Sequence, residues 1–133
     1  MRVTTANIKS VIAAKIPDCP SDFEENELPH LMLSELFCWT ESSARDGRDD
    51  DMAKALRLVD NIFGDCDDVV KNGVTVSFLE YVDPADEVGR KIFEALTPEL
   101  QRQWRALDQY MQKLIGKSLR GSAARNVGLK RTR

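Results

Sequence analysis

The sequence has few of the residues and motifs on which enzymatic chemistry depends. It has one histidine, His30, and histidine is the residue type most often used as a general acid or base. It has no nucleophile elbow, no phosphate-binding loop and no dinucleotide-binding glycine pattern. His30 follows Pro29 in an apolar segment, which favours a packed or capping imidazole over a catalytic base. We therefore expect a protein that has no catalytic residues and needs no cofactor.

Long apolar runs and paired cysteines are also missing. No stretch approaches the ~18 apolar residues of a membrane span, and Lys9 and Lys15 interrupt the amino-terminal residues where a signal peptide would need an apolar core. The three cysteines, Cys19, Cys38 and Cys66, are widely spaced and form no C-x-x-C pair. We interpret them as buried or half-buried thiols in a reducing compartment, and expect a cytoplasmic protein that does not enter membranes.

The composition present is that of a folded, highly charged domain. The chain has 133 residues, 42% of them hydrophobic, which is enough to bury one core without metal or disulfide support. Its net charge of −3 conceals an asymmetry. Residues 1–110 carry 12 basic and all 22 acidic side chains, whereas residues 111–133 carry 7 basic side chains and no acidic one. We predict a helical domain over residues 1–115 and a disordered basic tail over residues 116–133.

Apolar residues recur at helical spacing in six segments, which predicts an all-α domain of about six antiparallel helices joined by short loops. The segments are residues 6–16, 28–42, 51–63, 70–82, 84–96 and 98–115. Thr5 is the expected cap of the first helix. Asp83-Pro84 and Thr97-Pro98 each pair a capping residue with proline, and so predict the starts of the fifth and sixth helices. Trp39 and Trp104 are expected to be largely buried.

The segment VVKNGVTVSFLEYV, residues 69–82, has two interpretations. Asn72-Gly73 is a strong hairpin signal, and the residues after it alternate with period two. The apolar residues also keep the period of a helix through the Asn-Gly pair. Because a lone hairpin is only marginally stable and the neighbouring segments are helical, we predict one helix, with a weak point at Gly73 that costs about 1 kcal/mol relative to alanine.

Two clusters of carboxylates flank the predicted third helix. The first cluster contains Asp46, Asp49, Asp50 and Asp51, and the second contains Asp65, Asp67 and Asp68. Neither has the spacing of a calcium-binding loop, and both lie at helix starts, where carboxylates compensate the helix dipole. We therefore expect no metal site. A hydrolase holding an ion on the second cluster is the less favoured alternative.

The clusters are instead candidate contacts for a basic partner protein, because acidic surfaces attract such partners over long range. We favour the second cluster, since Gly64 allows the chain to turn there and Cys66 is its only uncharged residue. The first cluster is more easily explained as compensation of the helix dipole.

The basic tail suggests an alternative function. The seven cations of residues 111–133, six of them in the tail itself, could contact nucleic-acid phosphates. No aromatic residue lies beyond Tyr110 to stack on bases, so we consider nucleic-acid binding the second choice.

A family resemblance supports a protein-binding function. The motifs LP, SFLE and LTPEL lie between residues 28 and 101. Together with the order of the apolar segments, they make the sequence resemble a bacterial all-helical domain family of uncharacterised function. Some members of that family are immunity proteins of secreted toxins. The resemblance covers most of residues 7–104 and implies a protein that binds the catalytic domain of a toxin. A toxin that acts on nucleotides or nucleic acid would present a basic cleft, which an acidic surface could occupy.

Overall fold

The computed structural model of the chain describes residues 2–19 and 28–115, and the predicted basic tail lies outside these residues. Six α-helices form a compact all-α domain, as predicted from the apolar periodicity. They are α1 (Ile8–Lys15), α2 (Leu28–Arg45), α3 (Asp49–Gly64), α4 (Asp68–Ser77), α5 (Glu87–Ala95) and α6 (Pro98–Ile115). Within these ranges no helix combines the length and the apolar character that crossing a membrane requires.

Helix α2 lies at the centre of the domain, packed against α1, α3, α4 and α5. Its sequence is nearly continuous in apolar residues, so the helix buries more than one side. Met32, Leu33, Leu36 and Phe37 are almost completely excluded from solvent. Such a helix can exist only inside a domain, and the other helices supply the apolar faces that cover it.

The amino-terminal segment makes the one extended pairing in the described ranges. Val3 forms a parallel bridge with Cys66: its amide donates to the Asp65 carbonyl (2.9 Å), and its carbonyl accepts from the Asp67 amide (3.0 Å). The predicted cap at Thr5 is wrong, because α1 starts only at Ile8. The Asn7 side chain instead accepts a hydrogen bond from the Thr4 amide and holds a turn before the helix. The segment is thereby attached to the start of α4.

Helix α4 runs through Asn72-Gly73, so the hairpin interpretation is wrong and the helical one is confirmed. The helix is shorter than predicted, however. It ends at Ser77, and a single 3₁₀ turn follows at Leu79–Tyr81. Phe78 is buried at this break, with its ring edge-on to Phe37 at a centroid distance of 5.4 Å. Because the chain changes direction here, the consecutive residues Phe78 and Leu79 are both buried in the core, which one continuous helix would not allow.

At Gly73 helix α4 packs closely against α2. A Cβ atom at this position would lie 2.9 Å from Leu33 Cδ1 and 3.7 Å from the Pro29 carbonyl oxygen. The sequence-based interpretation of Gly73 as a weak point was therefore incomplete. The missing side chain lowers helix propensity, but it allows the two helices to pack closely.

The prediction that the fifth helix starts at Asp83-Pro84 is wrong, because α5 starts at Glu87. Those residues open a turn in which the Asp83 carbonyl accepts from the Asp86 amide (3.0 Å), and Asp86 caps the helix by accepting from the Gly89 amide (3.1 Å). Asp followed by Pro is also a signature of a type I turn, and here the turn prevails. The turn folds back so tightly that a Cβ at position 89 would lie 2.0 Å from the Asp83 carbonyl oxygen.

The predicted start of α6 at Thr97-Pro98 is confirmed. The Thr97 hydroxyl oxygen accepts from the Leu100 amide (3.3 Å), and the hydroxyl donates to Asp60 on α3 (2.9 Å). Trp104 is buried as expected, and its indole donates to the Val82 carbonyl (3.0 Å). Trp39 is only partly buried, so that expectation is wrong; the guanidinium carbon of Arg48 lies 5.6 Å from the centroid of its ring.

These close approaches predict different costs for two glycine-to-alanine substitutions. Gly89→Ala should lower the free energy of unfolding by at least about 2 kcal/mol, because the methyl group would collide with backbone that cannot move aside. Gly73→Ala should change it by less than about 1 kcal/mol, since the flexible end of Leu33 can shift and alanine favours the helix. Urea unfolding of both variants measures the two effects.

Gly64→Ala is the control, since a Cβ there would contact nothing within 4 Å. It should leave the free energy of unfolding unchanged or raise it. A Gly89→Ala protein as stable as the parent would contradict the tight turn at Asp83.

Candidate interaction surface

The two acidic clusters lie at opposite ends of α3, as the sequence indicated. The helix has 16 residues, which corresponds to about 24 Å. Between the clusters its solvent-facing side carries Lys54 and Arg57, both exposed. The clusters are therefore separate surfaces divided by positive charge.

The first cluster is largely neutralised by basic side chains. Arg48 pairs with Asp51 (3.2 Å) and with Asp46 (3.6 Å), and Lys91 from α5 pairs with Asp49 (2.8 Å). Lys91 also donates to the Ala44 carbonyl at the end of α2 (3.0 Å). Of the four carboxylates, only Asp50 makes no ion pair with a described residue. This cluster mainly holds the corner between α2 and α3 and attaches α5 to it.

Asp67, in the second cluster, has a structural role. One carboxylate oxygen accepts from the Val70 amide (2.9 Å) and so caps α4, while the other accepts from the Thr5 amide (3.3 Å). Both oxygens are thus used to join the amino-terminal segment to the start of α4. Among the predicted partner-binding residues, Asp67 is the one least able to contact a partner without a loss of stability.

Asp65 and Asp68 remain available, and an apolar ridge lies beside them. Both residues are exposed, and neither side chain forms a hydrogen bond or ion pair with the described part of the chain. Val69, the next residue, is 52% exposed. Asn72 and half-buried Val76 continue along the same side of α4 at helical spacing. We call Asp65, Asp68, Val69, Asn72 and Val76 the α4 patch.

The flanks of the α4 patch contain positive charge. Lys71 lies 5.0 Å from the centroid of the Phe63 ring, and Arg2 is exposed near the thiol of Cys66. The cation–π contact keeps Lys71 against α3. Within the part of the chain that the structure describes, the carboxylates of Asp65 and Asp68 therefore remain the unpaired charges at the start of α4.

The carboxylates of the second cluster do not form a metal-binding group. Across residues 2–19 and 28–115, no three His, Cys, Asp or Glu side chains come together in a way that could hold an ion. Asp67 is turned toward backbone amides, and Asp65 and Asp68 extend into solvent. The geometry thus gives no support to the alternative of an ion-dependent hydrolase.

His30 packs at the contact of α2 with α4, where its Nδ1 lies 2.9 Å from the Ser77 hydroxyl oxygen. A serine within hydrogen-bonding distance of a histidine is also the arrangement of an activated nucleophile. Ser77 is only 6% exposed, however, so its hydroxyl group is closed to a substrate in this structure. The pair is better explained as a polar link between the two helices.

The three cysteines are free thiols, as expected from their spacing. Cys19 and Cys66 are buried, and Cys38 is partly buried. Burial, together with the nearby Glu35 and Cys38, raises the pKa of Cys19 to about 11. Burial also raises the pKa of Cys66. Both thiols therefore stay protonated at neutral pH, in which form they are poor nucleophiles and metal ligands.

Sequence reasoning identified the carboxylates but missed the residues that decide which of them are free. Val69 could have been found, because a helix with Val70 and Val74 inside places Val69 toward solvent. The pairing of Lys91 with Asp49 joins residues 42 positions apart, and no local pattern indicates it.

Comparison with known proteins identifies a family but no characterised relative. The profile of the family described as a domain of unknown function (DUF7674) matches residues 10–112. No match was found among curated proteins or among solved structures.

The double role of Asp67 predicts an effect on stability. Asp67→Ala should lower the free energy of unfolding by about 1–2 kcal/mol, because α4 loses its cap and the Thr5 amide loses its acceptor. Asp68→Ala removes only a charge near the helix start and should cost less than about 1 kcal/mol. Thermal and urea unfolding of the two proteins gives the comparison.

Asp67→Asn is the matched control, since asparagine is also a good capping residue. It should be more stable than Asp67→Ala. Equal stability of Asp67→Ala and the parent protein would show that the cap contributes nothing.

Proposed function

The chain belongs to the DUF7674 family, and we propose that it is an immunity-type protein that neutralises a bacterial toxin by binding its catalytic domain. We further propose that it acts in the cytoplasm of the cell it protects. The toxin-neutralising function comes from the resemblance of the helix order to families with such members. The all-helical fold agrees with that resemblance, and the α4 patch supplies a surface on which a toxin could bind.

The observation that carries the proposal is the composition of the α4 patch. Two carboxylates, on Asp65 and Asp68, are exposed without a counterion among residues 2–19 and 28–115, beside the exposed valine Val69. Protein interfaces combine an apolar centre with charged groups at the rim. A charged side chain alone is explained by solubility, but an exposed valine adjoining unpaired carboxylates on one side of a helix suits a docking surface.

The chemistry of the patch indicates the kind of partner. Unpaired carboxylates attract a basic surface over long range and speed its association. A catalytic cleft that binds nucleotides or nucleic acid is basic, so Asp65 and Asp68 would occupy it with the charge of the natural substrate. Contact of Val69 and Val76 with the edge of the cleft would then add the apolar contribution to affinity.

The first cluster is a weaker candidate for the same role. A toxin that approached Asp49 or Asp51 would compete with Lys91 or Arg48 for carboxylates that are already paired. These pairs are solvent-exposed and each contributes at most about 1 kcal/mol, so competition for them reduces the gain from a new contact only modestly. Asp50 alone offers an unpaired charge at that end of α3.

The proposal predicts that the protein protects a cell from a toxin encoded beside it. Co-expression with the product of a neighbouring toxin reading frame should restore growth and yield a stable complex. The double substitution Asp65→Asn and Asp68→Asn should reduce protection, because it removes both unpaired charges and keeps the size of each side chain. Growth under graded toxin expression is the measurement.

Asp50→Asn is the control, since Asp50 is also an exposed carboxylate in the first turn of a helix and should leave protection unchanged. In binding experiments with the purified toxin domain, the double variant should associate about tenfold more slowly at low salt and with a weaker salt dependence. If neither rescue nor a complex is observed with the parent chain, the proposed function is wrong. If Asp50→Asn alone reduces association, the interface lies at the first cluster.

A further inference from the structure

Helix α6 presents a second charged surface, and this one is positive. Three cations on it, Arg102, Arg105 and Lys113, are exposed. The helix has two carboxylates. Glu99 pairs with Arg102, and Asp108 is buried and accepts a hydrogen bond from Gln112. The solvent-facing side of α6 therefore has a positive net charge.

An exposed aromatic ring accompanies these cations. Tyr110 is 58% exposed, and its hydroxyl group makes no hydrogen bond with residues 2–19 or 28–115. Lys113 lies three residues further along the helix and is therefore its neighbour on the surface. Leu114, one turn beyond Tyr110, is 61% exposed. A tyrosine usually buries most of its ring, so this one offers an uncovered flat surface.

The positive charge continues in the sequence beyond α6. Residues 116–133 contain six further lysines and arginines and no acidic residue. The absence of an aromatic residue beyond Tyr110 argued against nucleic-acid binding at the level of sequence. The exposure of Tyr110 itself supplies a stacking surface immediately before the basic segment.

We propose that the outer side of α6, with Arg102, Tyr110 and Lys113, binds single-stranded nucleic acid. Arg102 and Lys113 are 11 residues apart, which is three helical turns, so both lie on one side of the helix about 16 Å from each other. Lys113 contacts a phosphate at one end of this span, Arg102 contacts one at the other end in exchange for its exposed ion pair with Glu99, and a base stacks on Tyr110 between them. Binding of this type tolerates any sequence, because every base has a face that can stack.

Single strands are favoured over duplexes because of the aromatic ring. Bases in a duplex are already stacked on one another, so Tyr110 would contribute little to duplex binding, and only the phosphate contacts would remain. The site uses none of the residues of the α4 patch. It therefore stands or falls independently of the proposed toxin binding.

Fluorescence anisotropy of the full-length protein with a labelled oligothymidylate, over a series of salt concentrations, tests the proposal. The single strand should bind more tightly than a duplex of the same length. Tyr110→Ala should weaken single-strand binding about tenfold, and Tyr110→Phe should stay within twofold of the parent because it keeps the ring. Lys113→Gln should reduce the slope of log K against log salt by about 0.7, the contribution of one phosphate contact.

Lys9→Gln on α1 is the control, because it removes an exposed charge elsewhere and should leave that slope unchanged. Absence of single-strand binding at low salt would overturn the proposal. Binding that Tyr110→Ala leaves unaltered would also overturn it, since the cations beyond α6 would then act without the helix. The proposal would also be overturned if the parent protein had the mass of a dimer in solution and Tyr110→Ala had the mass of a monomer. The surface would then be the contact with a second copy of the protein.

Discussion

Helix α4 packs against α2 at Gly73, where a methyl group would come within 2.9 Å of Leu33 Cδ1. The other contacts of α4 depend on this close approach. It brings Ser77 within 2.9 Å of His30 and lets Phe78 meet the ring of Phe37. Because the buried side of α4 is held in this way, the opposite side is fixed toward solvent. The position of Val69 and Asp68 on the surface is thus a consequence of core packing.

The charged residues divide into those that hold the fold and those that do not. Lys91 and Arg48 join α5 and the corner between α2 and α3 through Asp49 and Asp51, and Asp67 joins the amino-terminal segment to α4. A partner that competed for these groups would have to break existing contacts. Asp65 and Asp68 have none to break among the described residues. Of the seven clustered carboxylates, Asp50 shares this property, but only Asp65 and Asp68 lie together and beside an exposed apolar residue, Val69, and we therefore take these two as the candidates for recognition.

The sequence predicted the helices well because apolar periodicity reports directly which side of a helix is buried. The prediction failed at Asp83-Pro84, because the same two residues are typical both of a helix start and of a type I turn. Which of the two forms depends on the close approach of Gly89 to the Asp83 carbonyl, which the local sequence does not show. It identified the acidic clusters but could not separate paired from unpaired carboxylates. That distinction depends on residues such as Lys91, which is distant in the chain from its partner Asp49.

The central claim is that the outer side of α4 is where a partner protein binds. Hydrogen exchange of the full-length protein, alone and in complex with the toxin domain, tests this most directly. The amides of Asp68 and Val69 lie in the first turn of α4, where no acceptor exists within the helix, so they exchange readily in the free protein. The account predicts that complex formation slows their exchange. Slowed exchange at residues 49–51, with α4 unchanged, would contradict it.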